Sequence, residues 1–328
     1  MKIRIATRKS QLALTQTRWV AARLRELAGE VEVELVEMVT VGDRVRDVPL
    51  TDVGGKGLFV SELEQAVLDG RADLAVHSLK DVPAELLAGL VLGCVPERED
   101  PRDVLVSNDG AALDDLSAGD RVGTSSLRRS IQLHRHRNDL EYALLRGNVD
   151  TRLAKLEAGQ YRAIVLAYAG LRRLGLASRP LWAIPTTISV PAVGQGALAL
   201  ECRQDDRALL ALLAGLEHVR SRACVEAERA FLRTLGGDCH TPLGGHARFD
   251  DDGSRLRFDG VVASVSDDRM VRAGLERYLR AEDPDLPAQA RALGEEAAQA
   301  LLAQGARELI AEAAARAEAR RDPRSKPH

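Results

Sequence analysis

Short runs of β-branched and aliphatic residues alternate with longer amphipathic stretches along most of the chain. Ile3 to Ala6 predicts a first strand, and the stretch after it carries Leu12, Leu14, Val20, Leu24 and Leu27 at helical spacing. Val31 to Val41 predicts a second strand. A loop through Gly54, Gly55, Lys56 and Gly57 then leads to a helix with Phe59, Leu63, Ala66 and Val67 on one face. Leu74, Ala75 and Val76 form a short apolar run, as a strand buried on both faces does. This alternation is the α/β signature of a mostly parallel sheet.

The pattern then repeats. Glu97 to Arg102, charged apart from one proline, reads as a crossover between domains. Arg121 to Gly123, Leu140 to Leu145 and Arg162 to Ala167 predict three more strands, with a helix through Leu153 and Leu156 between the last two. Ile184 to Ala197, with Pro185, Pro191, Gly194, Gln195 and Gly196, reads as the return crossover. It leads to a strand, Ala197 to Glu201, and a helix with Leu209, Leu212 and Leu213. From Arg222 on, the chain predicts a separate region: a helix through Phe231 and Leu232, a glycine turn, strands from Leu256 to Val265, and a helix carrying Leu286, Ala290, Leu293, Ala297 and Leu301. The expected organisation is domain 1 over 1–96 and 197–215, domain 2 over 101–190, a C-terminal domain over 219–320, and a polar, disordered tail over 321–328.

A length of 328 residues allows two or three domains. No apolar run reaches membrane-spanning length, and the first residues enter a strand without a signal-peptide pattern, which predicts a cytoplasmic protein. Four cysteines without a CxxC repeat fit a reducing compartment and argue against structural zinc. A net charge of −3 gives no reason to expect nucleic acid or membrane, and aromatics at 3% leave single strands little to stack on. The cations are the informative part: six lysines stand against forty arginines. A retained lysine therefore suggests a place that wants a point charge.

Candidate chemistry collects at strand ends and helix starts. Arg8, Lys9 and Ser10 open the first helix, where backbone N–H groups favour an anion; Ser10 as a helix cap and Arg8 as a solvated charge is the plainer alternative. His77, Ser78, Lys80 and Asp81 follow the buried Leu74 run at the position where open α/β sheets bind ligands, although a surface ion pair is the ordinary fate of a Lys–Asp neighbour pair. Thr124, Ser126, Arg128 and Arg129 open another helix, and Arg146, Arg152, Arg172 and Arg173 follow later strands. Guanidinium forks converging on one sheet edge suit a small ligand rich in carboxylates. Cys239 lies on a turn set by Gly236, Gly237 and Pro242, beside His240, and is either an ordinary loop cysteine or a reachable thiol able to form a covalent bond. Cys94, Cys202 and Cys224 sit among apolar residues and read as small core side chains.

Seven strings occur in order: Arg4-Ile-Ala-Thr-Arg8, Val53-Gly-Gly-Lys-Gly-Leu-Phe59, Val76-His-Ser-Leu-Lys-Asp-Val-Pro83, Val122-Gly-Thr-Ser-Ser-Leu-Arg-Arg129, Leu145-Arg-Gly-Asn-Val149, Pro191-Ala-Val-Gly-Gln-Gly196 and Gly236-Gly-Asp-Cys239. Together they resemble the porphobilinogen deaminases, also called hydroxymethylbilane synthases, over nearly the whole chain. The resemblance implies three domains, two of them like type II periplasmic binding protein lobes, plus a smaller C-terminal α+β domain. It implies a dipyrromethane cofactor held by a thioether to Cys239. It also implies stepwise condensation of four porphobilinogen molecules onto that cofactor with loss of ammonia, then hydrolytic release of the linear tetrapyrrole for heme biosynthesis.

By the same resemblance, Asp81 is the catalytic residue, accepting pyrrole N–H bonds and stabilising the cationic azafulvene formed as ammonia leaves. Cofactor contacts fall on Cys239, Lys80, Ser78, Thr124, Ser126, Arg128, Arg129 and Arg146. Substrate contacts fall on Arg8, Ser10, Arg146, Arg152, Arg173 and Gln195, with Lys56 on a loop over the cleft. The family's usual loop cations are missing where Asp52 and Val41 stand, with Lys9 as a partial substitute. No metal, nucleic acid, membrane or obligate protein partner is expected, and the family is usually monomeric. Two other classes compete: a carboxylate-binding protein without chemistry, and a hydrolase using Cys239 with His240. The second lacks a third residue to orient its base.

Overall fold

The computed structural model describes residues 1–44, 57, 59–236 and 241–321. The first sheet has the order β2 (Glu32–Met38), β1 (Lys2–Arg8), β3 (Leu74–Ser78), β10 (Leu198–Arg203), β4 (Leu90–Cys94). The second repeats it: β7 (Glu141–Leu144), β6 (Arg121–Thr124), β8 (Ala163–Ala167), β5 (Asp103–Ser107), β9 (Leu181–Ala183). In each sheet three neighbouring strands are parallel and the remaining two pairings are antiparallel. The expected mostly parallel sheet is thus corrected to a mixed one. Periodicity reports how buried a strand is and is silent on its direction.

The exception is the same strand in both lobes. β5 follows the first crossover directly, and β10 follows the second. A strand entering from the other lobe arrives from the opposite side, so it runs against its neighbours β8 and β3. The crossovers also bind each other. Glu99 N–H donates to Gly196 O at 3.2 Å, Gln195 Nε2 to Pro101 O at 2.7 Å and Arg98 Nε to Gln195 O at 2.8 Å. Gly196 has φ +89°, and a Cβ there would stand 2.3 Å from Glu99 O, so only glycine allows this approach.

Helices cover the sheets with their apolar faces. In α1 (Gln11–Ala28) Val20 and Leu24 are buried as the spacing predicts and Leu12 and Leu14 are half-buried, but Leu27 is exposed and Gln16, Thr17 and Ala21 are buried instead. The Thr17 hydroxyl donates to Thr7 Oγ1 at 2.7 Å, which satisfies two buried polar groups at once. Next in chain order, α2 (Ser61–Leu68) buries Leu63, Ala66 and Val67. The second lobe contributes α3 (Leu127–His136), α4 (Val149–Glu157) and α5 (Tyr168–Arg173), and α6 (Arg207–Leu213) returns to the first.

The C-terminal domain is a three-stranded antiparallel sheet, β11 (Leu243–Phe249), β12 (Arg255–Ala263) and β13 (Met270–Tyr278), packed against α7 (Val219–Leu235) and α8 (Leu286–Leu302). Of its strands, only β12 is legible in the sequence. β13 alternates half-buried and exposed positions, buries none of its residues fully and lies at a sheet edge, so its apolar signal is weak. At Gly294 a Cβ would lie 1.9 Å from Ala227 O, so glycine is what lets α7 and α8 touch. A further helix, α9 (Ala306–Arg321), reaches the first residue of the stretch read as tail, and 322–328 lie outside the described residues. A buried link fastens this domain to the crossovers. Glu228 of α7 accepts from Arg98 at 2.6 and 3.1 Å and from the N–H groups of Gly194 and Ala247.

Candidate active site

The carboxyl ends of β1, β3, β6, β7 and β8 open into one cleft of about 1370 Å³ between the two lobes. Strand ends there are followed by helix starts, whose free N–H groups favour anions. Ten of the described lining side chains are Lys or Arg, against five Asp or Glu. The Ser10 hydroxyl caps α1 by accepting Ala13 N–H at 3.3 Å, and Asn148 caps α4 by accepting Thr151 N–H at 2.9 Å. Ser10 therefore does two things: it caps a helix and it lines the cleft.

β3 ends at Ser78, and the short turn Leu79–Asp81 carries Lys80 and Asp81 into the cleft. Gln16 Nε2 donates to Ser78 Oγ at 2.9 Å. The Lys80 ammonium is open to the cleft but ringed by its walls. That enclosure, and next Arg129, push it down to about 8. Asp81 is half-buried and no hydrogen bond or ion pair to its carboxylate occurs among the described residues, which leaves both oxygens for a ligand. His77 departs from the expected polar quartet: it points into the interior toward Glu201.

Arg152 and Arg173 line the opposite wall, each pushed down to about 10, chiefly by burial. Arg152 Nε donates to Gly147 O at 2.8 Å and Arg173 Nη2 to Gly196 O at 2.7 Å, which leaves donors on each fork for a carboxylate. Arg146 and Ser126 also line the cleft. Arg8 does so too, but in an ion pair: its Nη2 stands 2.5 Å from Asp43 Oδ1, with the guanidinium 4.0 Å from the Phe59 ring centre.

Four expected contacts have a different primary role. Thr124 is buried and does not line the cleft; its hydroxyl accepts Ser126 N–H at 3.2 Å. Arg128 and Arg129 reach the cleft edge but spend most of their donors on Asp103 and neighbouring carbonyls. Gln195 is buried and donates to Asp103 Oδ1 and Pro101 O, which makes it a joint between crossovers. Sequence reading missed Asp103 because a carboxylate after a charged run looks solvated. It also missed Lys155 and Arg233, which line the cleft from helix interiors. Cys239, Lys56 and Asp52 lie outside the described residues. Gly236 and Thr241, on either side of 237–240, both line the cleft. Cys94, Cys202 and Cys224 are buried, with the last two thiols raised by burial to about 11 and 12, as core residues should be.

Two lobes of one mixed-sheet topology, crossed twice and enclosing a cationic cleft, define a protein of the type II periplasmic-binding-protein class with an added α+β domain. Residues 3–211 match the family model "Porphobilinogen deaminase, dipyromethane cofactor binding domain", and residues 222–303 match "Porphobilinogen deaminase, C-terminal domain". The porphobilinogen deaminase of Brevibacillus brevis is 49% identical over 311 residues, covering 95% of this chain and 97% of its own. That of Xanthomonas euvesicatoria pv. vesicatoria is 53% identical over 310 residues, covering 94% and 99%. That of Nitrosomonas europaea is 48% identical over 310 residues, covering 94% and 97%. The chain belongs to the porphobilinogen deaminase family. It is accordingly a transferase, a hydroxymethylbilane synthase of tetrapyrrole biosynthesis with a dipyrromethane-binding domain, and neither a binding protein without chemistry nor a cysteine hydrolase.

Proposed function

We propose that condensation of porphobilinogen runs in the cleft between the lobes, with Asp81 as the catalytic carboxylate and Cys239 as the anchor of the dipyrromethane. The observation that carries this reading is that Gly236 and Thr241, which bracket the cysteine stretch, share one lined cavity with Asp81, Lys80, Arg146, Arg152 and Arg173. Two linked pyrroles bearing four acetate and propionate groups match a wall with twice as many cations as carboxylates. When bound, the dipyrromethane supplies the pyrrole end to which new rings are joined.

The chain's own residues do the rest. Lys80, Ser78, Ser126 and Arg146 hold carboxylates of the anchored rings, with Arg128 and Arg129 contributing through their cleft-facing edges. Arg8, Ser10, Arg146, Arg152 and Arg173 hold those of the incoming substrate. Asp81 accepts the pyrrole N–H and sits beside the positive charge that develops on the substrate ring as its C–N bond breaks and ammonia leaves. Low dielectric between the walls strengthens each of these contacts. Free, buried thiols at Cys94, Cys202 and Cys224 support a reducing, cytoplasmic setting. No described helix is long and apolar enough to cross a membrane. The protein acts as a monomer without an obligate protein partner.

Intact mass under denaturing conditions tests the anchor. The purified chain is expected to exceed its sequence mass by two linked pyrrole units, and Cys239→Ala to lose the excess. A chain at bare mass that still turns over porphobilinogen overturns the reading.

A further inference from the structure

Three ionisable side chains meet in the cleft wall, with Glu64 at its surface. Glu64 comes from α2, His77 from β3 and Glu201 from β10, and they are 3%, 5% and 0% exposed. His77 Nε2 lies 3.2 Å from Glu201 Oε2. Neither that nitrogen nor either Glu201 oxygen has a donor–acceptor partner of acceptable geometry among the described residues. The Glu64 carboxyl lies close enough to both groups for its charge to interact with Glu201 and His77. Two carboxylate charges this close in a buried place are costly unless one keeps a proton.

Charge balance points the same way. The cation facing this group from the C-terminal domain is Arg229 of α7, which is 5% exposed and interacts electrostatically with Glu201. Glu226, Arg222 and Arg233 surround Arg229 on its own helix. Two largely buried carboxylates against one guanidinium leave a net negative charge with little solvent around it, and such a charge is costly. One proton kept on Glu64 cancels it. Consistently, burial and then the Glu201 charge raise the Glu64 carboxyl to about 7, against the pull of His77.

Each contributing element leads into a part of the active site. Four residues after His77 the chain reaches Asp81. Helix α7 runs from Arg229 to Gly236, the entrance to the cysteine stretch, and Arg229 Nη2 donates to Ala84 O at 2.9 Å, just past the Asp81 turn. We propose that Glu64, His77 and Glu201 form a buried positioning unit that must retain one proton, and that in this state it holds the Asp81 turn against the helix leading to the cysteine. The proposal rests on Asp81 being the catalytic carboxylate. When the proton is lost, water must enter from the cleft to solvate the second charge. The turn then loosens while the carboxylate-binding arginines keep their places, so kcat falls and KM does not.

Glu64→Gln tests this, because it leaves one carboxylate to match Arg229 and removes the carboxyl whose proton is at issue. A carboxyl raised in the fold costs stability as pH rises from its ordinary value through its folded one. The thermal midpoint of the variant minus that of the wild-type holoprotein is therefore expected to grow from pH 5 to pH 8. Wild-type kcat is expected to fall between pH 7 and 9, by about tenfold per unit at its steepest, and the variant's to stay within about twofold. Parallel midpoints, or parallel kcat profiles, overturn the proposal. Should Glu64→Gln fail to accumulate, Glu201→Gln poses the same question by removing the other carboxylate. Near-normal turnover in Asp81→Asn would remove the catalytic reading, and the positioning role with it, while a widening midpoint difference would still report the retained proton. Parallel midpoints in a protein that does depend on Asp81 would remove the positioning unit alone.

Discussion

Asp103 accepts two hydrogen bonds from Arg128, at 2.8 Å from Nη1 and 3.2 Å from Nη2, with its carboxylate fully buried. Arg129 Nε at 2.9 Å, Gln195 Nε2 at 2.8 Å and Ser189 Oγ at 2.9 Å complete its shell. This knot joins the start of β5, the first turn of α3 and the return crossover, so it fixes the second lobe to its own hinge.

Removing the charge should therefore be costly. Asp103→Asn leaves two guanidinium groups facing a neutral amide and is expected to destabilise by about 3–5 kcal/mol, read in urea unfolding. Burial alone would raise this carboxyl, but Arg128 and Arg129 hold it well below the ordinary value of 3.8. Its stabilisation is thus present above that value and lost as pH falls toward the folded one. Wild type should accordingly lose more stability than the Asp103→Asn variant on acidification below about pH 4. A variant as stable as wild type at pH 7 refutes the assignment.

Lys80 gives a basic counterpart. Its ammonium is pushed down to about 8, so it loses charge as pH rises through that value. Because the incoming ring docks beside the anchored rings that Lys80 holds, its carboxylates feel the same charge, and KM for porphobilinogen is expected to climb between about pH 7.5 and 9 with little change in kcat in the Glu64→Gln background, where the buried carboxyl no longer titrates. Lys80→Arg should flatten the climb, since a guanidinium stays charged. A KM independent of pH over this range excludes Lys80 as a carboxylate contact.

Asp81→Asn preserves the shape of the Leu79–Asp81 turn and removes the charge. Cofactor mass should be retained and kcat should drop at least about 10²-fold, measured by porphobilinogen consumption. Near-normal turnover would take Asp81 out of the mechanism.

Arg146→Leu tests the cationic wall. It should weaken substrate binding or leave shortened covalent chains detectable by denaturing mass spectrometry, and the effect should grow with each added ring. Unchanged kinetics and a single mass would make Arg146 a surface residue.

Much of this arrangement is legible without coordinates. Runs such as Leu74 to Val76 and the hydroxyl–arginine openings at Thr124 to Arg129 locate β3, β6 and α3, because buried strands and helix starts leave strong local signals. What stays hidden depends on partners distant in sequence. The direction of β5 and β10 follows from which lobe the chain comes from, and β13 and α9 spread their apolar residues too thinly to read. Arg128 and Gln195 look like free ligand contacts because Asp103, their actual partner, is 25 residues from one and 92 from the other. Asp43 on Arg8 escapes notice for the same reason, across 35 residues.

The hydrogen bonds that lace Arg98, Glu99 and Pro101 to Gln195 and Gly196 turn two separate chain segments into a single leaf. A lone strand between lobes swivels freely; a laced pair bends about one line and resists twisting. An enzyme that must accommodate one more ring at each round can then widen its mouth while both walls stay facing each other, and the arginines on one side remain opposite Asp81 on the other at every length of product.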